Sequence, residues 1–507
     1  MFVRLNKNRS GSVSVQIVAK EHGRSRVLRT VGSGRTELEL AVLRQQAAYE
    51  ARSMQGHGLL FHSEQDQDVE AFLATLGNEQ VRVVGPELIL GRLFDAVGFG
   101  VVQEELFRHL VIARLYEPGS KLRTADHMQR YLGVSTTVDS IYRFMDRLHE
   151  GLKTRVEQIA FAHTERVLGG KVSVVFYDMT TLHFEAEQED DLRRMGYSKA
   201  GKNQNPQIYL GLLVGSGGLA IGYDIFEGNI FEGHTLIPFL TAIEQRFGVK
   251  KPIVVADAGL LTNANIKSLE DQRYTYIIGA RLRSQPETVK ALVHAQPWAD
   301  GLARNVHVQG RHRLIVAYSD KRAAKDAHAR KRGLERLEKN LRTGRLTKAS
   351  INNKGYNRYL AMEGRVDVRI DYERYTADQR WDGLKGYVTN TKLTPERIIE
   401  HYGQLWQIER AFRISKTDLR IRPVFHRLRR RIESHICIAF CAYTIYKELE
   451  RNLQMNKAPF SASRAIDLTL NMYAIDIRLP TNGEPRSVML RMDSEQEILH
   501  RSVLRNS

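Results

Sequence analysis

The stretch VSVVFYD at 172–178 decides the fold of this chain. It is an almost unbroken apolar run, rich in β-branched and aromatic residues, as expected of a strand buried on both faces. The run ends in Asp178, followed by Met-Thr-Thr. Downstream, a polar loop at 185–205 carries Arg193, Arg194, Lys199 and Lys202. Then come QIYLGLLVG (207–215), a Gly-Gly turn and LAIGYDIFEGN (219–229), which read as two further strands. HTLIPFLTAIEQRFG (234–248) has helical periodicity, and KPIVVADAG (251–259) is a second buried strand, ending at Asp257. NANIKSLEDQR and YTYIIGAR add a helix and a strand. Three strands in sequence, a crossover helix and further strands describe an α/β protein with a mixed sheet of the RNase H type.

Beyond this core the pattern breaks and later resumes. Residues 282–383 contain strand-like ARNVHVQGRHRLIVAYS, a charged helix expected over 321–348 with 11 Lys/Arg against three acids, and strand-like DVRIDYERY. We read this block as a β-rich and helical insertion within the core. LKGYVTNT (384–391) returns as a strand, and 384–454 reads as the second part of the RNase H-like core after the first at 170–281. Upstream, 1–53 reads as a small three-stranded β-sheet with a helix at 38–53, either a DNA-binding arm or a solvated packing module. Residues 54–84 read as a polar, Gln-rich linker, and 85–169 as a helical, DNA-binding domain. The C-terminal region 455–507 is uninformative.

Composition narrows the partner. The formal charge of the 507 residues is +18, which favours a polyanion, nucleic acid first. The longest apolar run, at 436–446, is 11 residues against the roughly 20 a bilayer requires. Without an apolar N-terminal h-region, the chain is expected in the cytoplasm, associated with the nucleoid. Cys437 and Cys441, four apart on an apolar helix, are expected as core residues rather than metal ligands or a disulfide.

HYGQLWQIERAFRISKTDL (401–419) reads as one amphipathic helix on which Tyr402, Glu409 and Lys416 recur every seven residues, on one face. Arg413 joins that face one turn beyond Glu409. A surface helix with Glu–Arg and Glu–Lys pairs has the same appearance. Asp178 and Asp257, at the ends of two neighbouring strands, raise the alternative of a metal site. A carboxylate ending a buried strand is costly unless paired, protonated or bound to a cation, although each Asp alone could be a helix cap. Three acids from separate elements match the hard oxygen ligands that Mg²⁺ prefers. Two such ions about 4 Å apart would serve phosphodiester chemistry.

YDMTTL (177–182), VVADAGLLT (254–262) and the 401–419 stretch resemble the DDE transposases of bacterial insertion sequences. The branch in question has a Y-x2-R-x3-E-x6-K signature and a β-rich insertion before the Glu. RPVFH (422–426) and YVTN (387–390) are similar to it as well, and the resemblance spans about 170–450. Tyr402, Glu409 and Lys416 meet the signature's spacing, whereas its Arg falls on Leu405 and could be replaced by Arg410 or Arg413. The resemblance implies an RNase H-like fold and two Mg²⁺ ions, for which Mn²⁺ could substitute, on Asp178, Asp257 and Glu409. It also implies DNA contacts by Tyr402 and Lys416. Arg413, on the same helix face, is a further DNA-binding candidate, and Trp406 is expected in the core, with stacking on a base as the alternative. The expected activity is that of a transposase acting as a homodimer on terminal inverted repeats and target DNA. A catalytically inactive DNA-binding derivative is the alternative, resting on Leu405. A glycoside-type hydrolase with two carboxylates is disfavoured by the basic charge.

Overall fold

The computed structural model describes residues 1–8, 11–21, 24–54, 64–185, 188–196, 205–249, 251–260, 262–310, 312–347, 350–352, 355–363, 367–479 and 483–504. Lys199 and Lys202 of the polar loop, and residues 55–63 of the expected linker, lie outside them; the rest of that linker is not unstructured, since it holds the helix Glu64–Ala74. The chain forms two compact units, Met1–Val81 with Ala474–Met489, and Arg82–Tyr473 with Leu490–Ser507.

In the first unit, strands Phe2–Lys7 (β1), Val13–Glu21 (β2) and Arg24–Gly34 (β3) form an antiparallel meander. The helix Glu37–Met54 lies on it, closing a small core of Val15, Ile17, Leu40, Ala47 and Ala51. Most of β3 is exposed, so this sheet buries only one face. A hairpin of Tyr473–Arg478 with Pro485–Met489 supplies the unit's C-terminal part. The short strand Val81–Val83 (β4) stands at the unit boundary.

The second unit is built on eight strands. Val174–His183 (β5), Gln207–Val214 (β6) and Ala220–Glu227 (β7) run antiparallel, and Ile253–Ala256 (β8) and Thr275–Ala280 (β9) follow in parallel beside β5. The hairpin of Ala303–Gln309 (β10) with His312–Tyr318 (β11), and Leu384–Thr389 (β14), complete the order β10-β11-β14-β9-β8-β5-β6-β7. The section β7-β6-β5-β8-β9 is the RNase H arrangement: two hairpins, then helical crossovers to parallel neighbours. Alternation along each strand feeds two cores. Val175, Tyr177, Val254 and Ala256 face the crossover helix Leu236–Phe247 through Leu236, Phe239 and Ile243. Val174, Phe176, Val255 and Ile277 face the opposite core, shared with Ile408 and Phe412 and with the helix Arg429–Met455. That long helix is buried on nearly all sides, holds Cys437 and Cys441 as free buried thiols, and is wrapped by the helices of residues 92–167. No helix among the described residues is long and apolar enough to cross a membrane.

Three elements differ from the sequence reading. β5 does not stop at Asp178: β6 goes on pairing with it, from Asp178↔Leu212 to His183↔Gln207, after β8 has ended. The strand-like segment at 303–318, expected inside the insertion, is hydrogen-bonded to β14 and so extends the main sheet. What projects between β11 and β14 is the helix Asp320–Arg342, the hairpin Leu360–Glu363 (β12) with Asp367–Ile370 (β13), and the short helix Tyr372–Ala377, around Leu337, Tyr359, Leu360 and Ile370. The charged helix ends at Arg342 rather than 348, because Gly344 turns to φ +64 and the amide of Arg345 closes on Asn340 O at 2.9 Å. Finally, 401–419 is two helices, Pro395–Gly403 and Trp406–Thr417. Across the join the amides reach back only three residues, Gln404 to His401 at 3.1 Å, Leu405 to Tyr402 at 3.0 Å and Gln407 to Gln404 at 2.9 Å. Three residues per turn instead of 3.6 breaks the seven-residue alignment, so Tyr402 is buried while Glu409 is exposed.

Candidate active site

The pairing of β5 with β8 brings the two aspartates side by side. The last parallel pair is Tyr177↔Ala256, so Asp178 and Asp257 each come one residue later, where β8 stops. By alternation Asp178 shares the face of Val174 and Phe176, and Asp257 follows Val255 on that face. Among the described residues no strand pairs with β5 beyond this point on the β8 side, which leaves a notch lined by main chain and carboxylates. Asp178 is half-buried, with Oδ1 accepting from the Met179 amide at 2.8 Å, and Asp257 is exposed.

The helix Trp406–Thr417 packs on β5 through Ile408, Ala411 and Phe412, its buried side. Its other side presents Trp406, Glu409, Arg410 and Arg413 along one open cleft. Trp406 is 52% exposed and does not take a core position. Lys416 reaches from the same helix to β5, where its ammonium donates to the hydroxyl of Thr180, two residues past Asp178. Leu405 is a core residue at 9% exposure, so the position where the signature has Arg points inward here. Of the two proposed substitutes, Arg410 is ion-paired with Glu450 of the long helix, while Arg413 is exposed one turn from Glu409.

Tyr402 is placed differently from the expected phosphate contact. Its ring is buried against Tyr387 of β14 at 4.9 Å, and its hydroxyl donates to Asp257 Oδ1 at 3.1 Å. Burial and the neighbouring Asp257 carboxylate both push the phenol upward, so it stays protonated and remains a donor. Space for that hydroxyl exists because residue 279 of β9 is glycine. A Cβ there would collide with Tyr402 Oη and stand 3.2 Å from the Ala258 amide.

Sequence reasoning passed over Lys385. It lies on the same face of β14 as Tyr387, with its ammonium 4.3 Å from the centre of the Tyr402 ring. Burial and the Arg322 guanidinium lower its pKa, while Asp257 and Glu409 act in the opposite direction. Lys385 therefore lies within electrostatic reach of two of the three acids. The available signal was a lysine in the otherwise uncharged strand LKGYVTNT. Arg281, Arg283 and Arg322, beside Asp257, Lys385 and Tyr402, line a cavity of about 660 Å³ that leads from the notch toward the insertion. The site is thus an acidic notch beside a basic bed: the carboxylates are hard oxygen ligands for a cation, and the surrounding cations suit an anionic polymer.

Among the described residues, no three His, Cys, Asp or Glu side chains stand close enough together to hold an ion as they are placed. The donor chemistry does fit a divalent cation. Two aspartates lie adjacent on one sheet face, a glutamate comes from the helix packed over it, and all three have solvent access.

The transposase DDE domain family matches this chain over residues 169–445, more than half its length, and the chain belongs to that family. Among solved structures it is similar to a piggyBac transposase synaptic complex with hairpin DNA, at 10% identity over 76% of this chain and 78% of that one, with a TM-score of 0.38. No curated protein matches it. The family is one of metal-dependent enzymes of DNA transposition.

Proposed function

We propose that this chain is the transposase of an insertion sequence. It binds the element's terminal inverted repeats, pairs two ends as a homodimer, cleaves them, and joins the 3′-hydroxyls to target DNA. The observation that carries this reading is the adjacency of Asp178 and Asp257 beyond Tyr177↔Ala256, with the Glu409 helix packed over β5. In this reading Asp178, Asp257 and Glu409 hold two Mg²⁺ ions, or Mn²⁺ in their place. When bound, the ions would activate the attacking oxygen and stabilise the departing one. The chain's own residues bind and orient. Tyr402 fixes the rotamer of Asp257 through its hydroxyl, so it acts on DNA through that carboxylate. Lys416 and Arg413 hold phosphates beside Glu409, and exposed Trp406 offers a stacking surface at the rim of the same cleft. Lys385 and the arginines of the adjoining cavity draw the strand into the notch.

The non-catalytic reading rested on Leu405, whose apolar side chain is accounted for by its place in the core. A strand-transfer assay tests the proposal. Pre-cut element ends should join a supercoiled plasmid in Mg²⁺ with wild-type protein and fail to join with Asp178→Asn or Asp257→Asn. Equal joining by the variants would remove the aspartates from the chemistry.

A further inference from the structure

Away from the notch, where helices 105–116 and 121–132 meet the long helix, four basic side chains share one buried place without an acid. Arg114 and Lys121 are 4% and 5% exposed, and His426 and His435 are buried beside them. Arg114 Nη2 donates to His435 Nδ1 at 3.3 Å, and His435 Nε2 donates to the carbonyl of Ile421 at 3.0 Å. This fixes the tautomer and makes His435 a neutral support for the guanidinium. The rings of His426 and His435 are 5.3 Å apart. Among the described residues Lys121 has no hydrogen-bond or ion-pair partner, and no carboxylate acts on Lys121 or Arg114. Of the nearby acids, Glu117 is paired with Arg123 and Asp146 with Arg430 and Arg431.

Burying an ammonium or a guanidinium without a counter-charge costs several kcal/mol per ion. Native interiors pair such groups, neutralise them or bind an ion. Burial, with Arg114 alongside, holds the Lys121 amine well below its ordinary range, and burial with the cations Lys121, Arg114 and Arg431 takes His426 to about 3. Burial and the neighbouring cations thus both disfavour the charged forms of Lys121 and His426, as expected of a cluster of bases with no acid beside it. The approach is basic too, because Arg422 and Arg427 are exposed on the segment that carries His426, next to an exposed Phe425.

We propose that Arg114, Lys121 and His426, with His435 as support, form an oxyanion site for a phosphate group. It is separate from the carboxylate notch and does not depend on the transposase reading. Two sources offer that chemistry, free phosphate and a backbone phosphate of bound DNA. Lys121→Met removes the ammonium and keeps the stem, and Lys121→Arg keeps the charge.

The test is calorimetric titration of the full-length protein with inorganic phosphate at constant ionic strength, chloride replacing phosphate in the control, with and without a saturating duplex. The wild type should bind one phosphate saturably, Lys121→Met at least tenfold more weakly, and Lys121→Arg within a few-fold of wild type. Lys121→Met should also melt higher than wild type in phosphate-free buffer, because a buried amine without a partner is replaced by an apolar side chain. If the duplex abolishes phosphate binding, and phosphate weakens duplex binding by wild type but not by Lys121→Met, the backbone is the source. If phosphate binds equally with duplex present, free phosphate is. Heat from wild type no different from chloride, with duplex affinity the same for wild type and Lys121→Met, would overturn the proposal. So would equal phosphate binding by wild type and Lys121→Met.

Discussion

Gly279→Ala and Tyr402→Phe should not act independently. The Tyr402 ring is confined by Tyr387 at 4.9 Å, by Lys385 at 4.3 Å and by its hydrogen bond to Asp257, so it cannot swing away from a new methyl. A Cβ at position 279 meets Oη inside contact distance and Cζ at 3.2 Å. Overpacking of this kind costs ~1–3 kcal/mol, and losing the bond to the solvent-exposed Asp257 adds ~1 kcal/mol at most. Replacing a strand glycine returns ~0.5–1 kcal/mol. Gly279→Ala alone should therefore cost ~2 kcal/mol. Tyr402→Phe alone should cost ~1 kcal/mol, the hydrogen bond only. In the double variant the clash with Oη is gone and the bond is lost only once, so the total should fall to ~1 kcal/mol rather than the ~3 kcal/mol of the sum. Urea denaturation of the four proteins reads this coupling. Losses that add within ~0.5 kcal/mol would refute the claim that residue 279 is glycine to make room for the Tyr402 hydroxyl.

Other outcomes can be checked as simply. Leu405→Arg, which restores the signature residue, should destabilise the chain by ~2 kcal/mol or more, because it puts a cation into the core; an unchanged melting temperature with tighter DNA binding would mean that position 405 faces DNA. Lys416→Ala should lower the salt slope of end binding by about one phosphate's worth, and an identical slope would take Lys416 off the backbone. Burial opposes ionisation of Glu448, but hydrogen bonds from Arg451 and His163 outweigh it and hold the carboxyl at about 2. Its folded pKa is below the unfolded value, so its contribution to stability is present above about 4.5 and is lost as pH falls toward 2. Acid unfolding of Glu448→Gln should be flatter over that window, and a curve parallel to wild type would contradict the assignment.

Much of the sheet was legible because buried parallel strands announce themselves. VSVVFYD and KPIVVADAG have too few polar residues for a half-exposed strand, and each carries one of the two aspartates of the notch. Less legible were features set by neighbours rather than by the segment itself. β5 runs past Asp178 because β6 is long enough to keep pairing, which the composition of β5 does not encode. The join after Gly403 was hidden because the apolar periodicity on either side stays in phase with a single helix, and a glycine near a helix end was the one local sign. The hairpin at 303–318 reads as strand in any context, and only its partner β14 makes it part of the main sheet. The Arg114–His435 contact joins residues 321 apart, beyond the reach of any local pattern.

The most direct measurement is cleavage of a linear duplex carrying the DNA ends that flank this gene, with wild type and Glu409→Gln run side by side in Mg²⁺ and in EDTA. Glu409→Gln leaves the cations of the cleft in place, so end binding should stay within a few-fold of wild type while cleavage disappears. Cuts at the element boundary that require both Mg²⁺ and Glu409 are the predicted result. Specific binding without any cut by wild type, in Mg²⁺ or Mn²⁺, or cutting that persists in Glu409→Gln, would contradict it.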